Sequence, residues 1–193
     1  MTINWQSIID RAHGMALEKG WWQPDAAGKV RSLGECLTLI HSEISEACEA
    51  YREFKGDAAD VFKPFWESSG GTIFTDAHYK ADGGTGWKPV GIPSELADVC
   101  IRVCDLMGFR SWNYCDDVRC DQMWSGDFLV DLNVLHVCVS DIGSLIGTRP
   151  RYCSILLAYT ASLAAHYGID LAAAIEAKLQ YNATRPHRHG KRA

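Results

Sequence analysis

Two pairs of acidic residues, each spaced i,i+3 in a stretch with helical periodicity, constrain this chain more than any other feature of its sequence. Glu43 and Glu46 form the first pair, and Glu95 and Asp98 form the second. Residues three apart share one face of a helix, at roughly 5–6 Å between Cβ atoms, where like charges repel. Hard divalent cations bind carboxylate oxygens, so the two pairs predict a Mg²⁺ site. Phosphate oxygens would complete the coordination shell of the cation.

Each acidic pair borders an apolar stripe with the 3.6-residue period of a helix. The first stripe consists of Leu37, Ile40, Ile44, Ala47 and Tyr51, and the second of Leu96, Val99, Cys100, Val103 and Met107. Two helices that pack along these stripes would bring the four carboxylates together. A single acidic pair is most often a solvated helix face, so the prediction depends on the presence of the second pair.

Composition and charge limit the classes of protein to which this chain can belong. The chain has 193 residues, is 47% hydrophobic and 22% charged, and carries a formal net charge of −5, which suits one globular domain without a general nucleic-acid surface. No stretch approaches the roughly 18 apolar residues of a membrane span, and residues 1–23 lack the apolar core of a signal peptide. We therefore expect a cytoplasmic protein with no nucleic-acid or membrane partner, whose eight cysteines are free thiols.

The remaining patterns predict an all-α fold, a helical bundle in which residues 1–193 form a single domain. Helices are expected at residues 4–19, 30–54, 93–107, 127–146, 152–167 and 171–184. The helix at 152–167 is apolar almost all round, which favours a buried helix or the face of a homo-oligomer, a dimer or tetramer. Residues 56–91 differ in kind, because their glycines, prolines and six aromatic residues predict an irregular insertion that packs on the domain as a lid or subunit contact.

Three motifs follow one another along the chain. They are LIHSEISEA at residues 39–47, GIPSELADVCIR at residues 91–102, and a late KxxxNxxR formed by Lys178, Asn182 and Arg185. In this combination the chain resembles the all-α nucleoside-triphosphate pyrophosphatases of the MazG-like type, found in phage and bacterial genomes. It departs from that family in the long connection at residues 56–91 and in the polar segment at residues 115–126.

The resemblance implies hydrolysis of an NTP or dNTP to the nucleoside monophosphate and pyrophosphate. It also implies a set of Mg²⁺ ligands, with Mn²⁺ as a substitute: Glu43, Glu46, Glu95 and Asp98. Of these four, Glu46 and Asp98 are expected to be catalytic.

Substrate contacts are expected from a late helix and from the segment that follows the first predicted helix. Lys178, Asn182 and Arg185 lie at i, i+4 and i+7, so they share one helix face from which they can meet phosphate oxygens. Trp22 is expected to stack on the nucleobase. Taken singly, Lys178 also suits a solvated helix position and Asn182 a helix C-cap, so their assignment depends on the acidic pairs.

Two other classes of protein are alternatives to this prediction. A ferritin-like di-iron protein also uses helical carboxylates, but it requires Glu-x-x-His motifs, and the sequence contains none. A non-catalytic helical module, which binds nucleotides or mediates oligomerisation or regulation without turnover, stays open as the alternative. Release of pyrophosphate in the presence of Mg²⁺ distinguishes the enzyme from the module.

Overall fold

The computed structural model describes residues 3–25, 27–83 and 86–187, and most of these residues are helical. The helices are α1 (Trp5–Glu18), α2 (Leu33–Glu53), α3 (Asp76–Ala81), α4 (Ile92–Phe109), α5 (Phe128–Ser144), α6 (Arg149–His166) and α7 (Leu171–Thr184). The strands are β1 (Phe65–Glu67), β2 (Ile73–Thr75) and β3 (Lys88–Val90), and short 3₁₀ turns lie at Ala58–Asp60 and Ile146–Thr148. The predicted helical fold is therefore confirmed, and the sheet is an addition to it.

Helix α4 is the centre of the bundle, since α1, α2, α6 and α7 all pack against it, while α5 packs on α2 and α6. Helices α2 and α4 pack against each other, and most residues of the two predicted stripes are buried. Their fully buried members are Ile40, Ile44, Ala47, Leu96, Val99, Cys100, Val103 and Met107. Tyr51, the last residue of the first stripe, is 37% exposed and lies outside this contact. Packing along the stripes therefore brings the helices that carry the two acidic pairs together.

Capping residues decide where two of the helices begin. Ser32 Oγ accepts a hydrogen bond from the Glu35 amide at 3.2 Å, and the Glu35 carboxylate accepts one from the Ser32 amide at 2.6 Å. This capping box starts α2 at Leu33, three residues later than the pattern alone predicted. Helix α6 begins at Arg149, three residues before the predicted start at residue 152, because Pro150 suits the first turn of a helix.

Of the two roles predicted for the apolar sixth helix, the structure shows the buried one. Helix α6 packs against α5, α4 and α7 within the single chain, and its buried apolar residues are Cys153, Leu156, Leu157, Leu163 and Ala164. In the described ranges, no single helix combines the length and apolar character needed to cross a bilayer. Among the described helices, only the pair α6 and α7, bent by 114° at the break between them, together has the length and composition of a membrane span. The predicted homo-oligomer stays a prediction.

The prediction of an all-α fold is wrong within residues 56–91, which form an antiparallel sheet in the order β2-β1-β3 and the short helix α3. Each strand is three residues long, too short to show the alternation by which a strand is recognised. Pro89 lies on the edge strand β3, where a missing amide is tolerated. Trp66 of β1 stacks on Tyr79 of α3 with ring centroids 3.5 Å apart. Because β3 also contacts α4 and α7, this segment packs on the helices, and its role as a lid or subunit contact stays a prediction.

Candidate metal centre

Three of the four predicted carboxylates come together where α2 meets α4. Glu43 of α2 and Glu95 and Asp98 of α4 each present an oxygen atom, and these three atoms lie within 4.8 Å of one another. Glu43 is buried, and the other two are half-buried. Three hard oxygen donors at this separation can hold a divalent cation, and they fit the predicted Mg²⁺ or Mn²⁺. We call these three residues the carboxylate triad.

Glu46, the fourth predicted ligand, lies outside the carboxylate triad. Its side chain is exposed and accepts a hydrogen bond from Ser42 Oγ at 3.1 Å. It is nevertheless close enough that its negative charge contributes to raising the pKa of both Glu43 and Glu95. Glu46 is therefore a solvent-facing carboxylate beside the triad in this structure.

Two basic side chains are paired with the triad. Arg102 Nε donates a hydrogen bond to Glu43 Oε1. Lys178 Nζ lies 2.7 Å from Asp98 Oδ2 and also donates to Ser94 Oγ at 2.7 Å. The Ser94 hydroxyl donates in turn to the backbone carbonyl of residue 89 in β3, at 2.8 Å. A chain of polar contacts thus joins the triad to α7 and to the sheet.

Glu95 is the triad member that has no ion pair among the described residues. Burial, reinforced by the charges of Asp98 and Glu43 and opposed by that of Lys178, raises the pKa of Glu95 to about 7. Burial also raises the pKa of Glu43, against the opposing charge of Arg102. Glu95 is therefore the triad carboxylate whose ionised form lacks an ion-pair partner among the described residues, and a divalent cation would stabilise that form.

Lys178 remains protonated in spite of its burial. The residue is only 5% exposed, and burial alone lowers the pKa of a lysine. The charges of Asp98 and Glu95 outweigh that effect, so the pKa of Lys178 lies above its ordinary value. A charged lysine is thus held beside the triad, although the sequence allowed a solvated helix position.

The two other residues of the late motif line a cavity bounded by α1, α4 and α7. Asn182 and Arg185 lie in its wall, together with Asp98 and Arg102. Asn182 is 8% exposed, and its Oδ1 atom is buried without a hydrogen-bond partner among the described residues. Buried polar atoms in folded proteins nearly always have a partner. An unpaired acceptor in a cavity wall therefore indicates a position where a ligand or a water molecule donates a hydrogen bond.

The structure places Trp22 among the core side chains, and its predicted contact with the substrate stays a prediction. Trp22 is 7% exposed, stacks on Phe109 with ring centroids 3.6 Å apart, and donates from Nε1 to Asp105 at 2.7 Å. A buried tryptophan needs such an acceptor for its indole N–H, and this bond fixes Trp22 in the core. The adjacent Trp21 lines the cavity instead, with the Arg31 guanidinium 5.0 Å from its ring centroid. Sequence alone could not tell which of two neighbouring tryptophans faces the core.

Comparison of the chain with models of known protein families, with curated proteins and with solved structures finds no significant match in any of the three. Any function assigned to the site therefore rests on the residues of this chain and their geometry.

Proposed function

We propose that this protein is a Mg²⁺-dependent nucleotide pyrophosphohydrolase, which cleaves an NTP or dNTP to the nucleoside monophosphate and pyrophosphate. The observation that carries the proposal is the carboxylate triad, with a protonated lysine and an arginine beside it and a cavity adjoining it. The order and spacing of the sequence motifs support the same reaction. Phosphoryl transfer depends mainly on positioning and charge neutralisation, and this arrangement offers both.

Different residues of the site would bind the cation, orient the attacking water and contact the phosphates. Glu43, Glu95 and Asp98 would hold Mg²⁺, which supplies positive charge to phosphate oxygens and lowers the pKa of a bound water. Glu46, which faces solvent, would orient the attacking water and receive its proton. The water oxygen bonds to the α-phosphorus, the bond from that phosphorus to the bridging oxygen breaks, and pyrophosphate leaves with the bonding electron pair. Lys178 would meet the charge that develops on the phosphate oxygens.

A product assay tests the proposal. Purified protein is incubated with Mg²⁺ and each of the common NTPs and dNTPs in turn, and the products are separated by anion exchange. We expect monophosphate and pyrophosphate in equal amounts from at least one substrate, and no product after chelation of the metal. Release of orthophosphate with a diphosphate would contradict cleavage at the α–β bond. Binding without any product would favour the non-catalytic module.

Variants of the two neighbouring tryptophans should separate the core from the site. Trp22→Phe removes the indole donor from the half-buried Asp105 carboxylate, so we expect it to lower the free energy of unfolding by about 2 kcal/mol while leaving KM unchanged. Trp21→Ala alters the cavity wall and should raise KM with little loss of stability. Thermal melts and steady-state kinetics on both variants check this. The opposite pattern, with KM raised by the Trp22 change alone, would identify Trp22 as the substrate contact.

A further inference from the structure

We propose that Arg102 is a phosphate-binding residue whose guanidinium group exchanges partners, from Glu43 in the metal-free protein to the substrate when a divalent cation occupies the carboxylate triad. This inference rests on the proposed function, and it adds to it a residue that lies outside the expected ligand set. Its physical basis is that the Arg102 guanidinium and a divalent cation compete for the same buried carboxylate, that of Glu43.

The competition takes place at Glu43. Its side chain is 5% exposed, and Arg102 Nε is its hydrogen-bonded ion-pair partner. The guanidinium is therefore the counter-ion of this carboxylate when no metal is bound. A divalent cation held by Glu43, Glu95 and Asp98 would supply more charge at the same place and would repel the guanidinium. Binding of the cation would therefore weaken the ion pair between Arg102 and Glu43.

Arg102 is able to move where Lys178 is not. The Lys178 side chain is 6% exposed and is held by both Asp98 and Ser94. The Arg102 side chain is 36% exposed. Its terminal nitrogens Nη1 and Nη2 have no protein acceptor among the described residues. A half-exposed side chain with one anchoring contact can reorient at low cost, and its long stem gives it reach.

The surroundings of Arg102 indicate what it would bind after it leaves Glu43. Arg102 lines the cavity that also contains Asn182 and Arg185, and it lines a second cavity beside Trp21. The wall of the first cavity contains four basic residues, which outnumber its two acidic residues and suit an anion: Lys19, Arg31, Arg102 and Arg185 against Asp98 and Asp105. A guanidinium group binds two oxygens of a phosphate side by side.

Asn182 supplies an independent indication of the ligand class. Asn182 lines the same cavity, and its buried Oδ1 atom lacks a donor among the described residues. An amide oxygen accepts a hydrogen bond but does not pair with a phosphate oxygen. A ligand that carries an O–H or N–H donor as well as anionic oxygens would satisfy this acceptor and the basic residues together. A nucleoside phosphate, with sugar hydroxyls beside its phosphate chain, has both.

The test measures how strongly nucleotide binding depends on Arg102, with and without the cation. The probes are α,β-methylene analogues of the four common ribonucleoside triphosphates and the four common deoxyribonucleoside triphosphates, whose α–β bridge cannot be hydrolysed. Dissociation constants are measured by calorimetry at about pH 8, with Mn²⁺ present and with the metal chelated. The proteins are the wild type, Arg102→Gln, Arg102→Lys, and the control Arg151→Gln, which removes an exposed arginine paired with Asp117.

We expect Arg102→Gln to raise the dissociation constant about tenfold in the presence of Mn²⁺, because a hydrogen-bonded charge contact is lost. Without metal the effect should be much smaller, since the guanidinium then lies on Glu43. Arg102→Lys keeps a counter-ion for Glu43 and the fold, and should show an intermediate loss. Arg151→Gln should match the wild type, and thermal melts of all four proteins confirm folding.

Each other outcome overturns the exchange. If the wild type binds an analogue with Mn²⁺ and Arg102→Gln binds it equally well, Arg102 makes no phosphate contact and the proposed function is untouched. If the variant loses affinity equally with and without metal, the contact is permanent and no exchange occurs. If the wild type binds none of the analogues under either condition, the proposed function fails together with the inference.

Discussion

Replacing Glu95 with glutamine is expected to stabilise the metal-free protein and, at the same time, to remove its Mg²⁺-dependent activity. Glu95 is the triad carboxylate without an ion pair among the described residues, and burial and the neighbouring Asp98 and Glu43 raise its pKa to about 7. A neutral glutamine relieves that repulsion, so the metal-free free energy of unfolding should rise by about 2 kcal/mol at about pH 8. Turnover should fall more than about a hundredfold, since even lost second-shell contacts cost up to that much.

The same shift predicts how stability depends on pH. The folded-state pKa of Glu95, about 7, lies above its ordinary value of 4.5, so the folded protein holds this proton more tightly than the unfolded chain does. The stability that comes from this group is fully present below 4.5 and is lost as the pH rises through 7. Thermal melts of the metal-free wild type should therefore decline over this range, and those of Glu95→Gln should decline less. Parallel curves for the two proteins would contradict the assignment of the titration to Glu95.

Replacing Asp98 with asparagine should remove activity as well, but it should destabilise the protein. Asp98 is the ion-pair partner of Lys178, whose Nζ atom lies 2.7 Å from Asp98 Oδ2. The Lys178 side chain is only 6% exposed. Breaking a buried pair leaves the other charge without compensation, which costs about 3 kcal/mol. Two neighbouring carboxylates of one site are thus expected to give stability changes of opposite sign. Urea unfolding of the metal-free variants measures both.

A double variant shows whether the ion pair is the cause. Asp98→Asn combined with Lys178→Met removes both charges, so it should recover much of the stability lost in the single variant while remaining inactive. Asp117→Asn breaks an exposed pair with Arg151 and should behave as the wild type in both assays, because surface pairs contribute little. A double variant no more stable than Asp98→Asn would mean that Lys178 does not depend on Asp98.

Local sequence patterns predicted the helices well because each boundary has a local cause. Helix α7 begins and ends where it was expected, since Asp170 caps its first turn and Pro186 follows its end. The triad could also be predicted, because helical spacing assigns a carboxylate to a face and the apolar stripes determine which faces meet. The two acidic pairs thus carried enough information for three of the four predicted ligands to be found together.

The contacts that sequence did not predict join residues far apart in the chain. No spacing rule links Arg102 to Glu43 or Lys178 to Asp98, which are 59 and 80 residues apart. These pairs decide which triad member lacks a counter-ion, and therefore which substitution stabilises the protein. The exposed position of Glu46 was missed for a related reason. A three-residue spacing places two carboxylates on the same face but does not fix their depth, and Glu43 alone is buried against α4.

Binding of Mn²⁺ to the protein, without any substrate, is the most direct test of the central claim that the carboxylate triad is a metal centre. The free-ion signal in electron paramagnetic resonance reports the unbound fraction as protein is added at about pH 8. We expect saturable binding to the wild type and to Asp117→Asn, and binding weakened more than about tenfold in both Glu95→Gln and Asp98→Asn. Equal affinity of all four proteins for Mn²⁺, or no binding by the wild type, would contradict the claim.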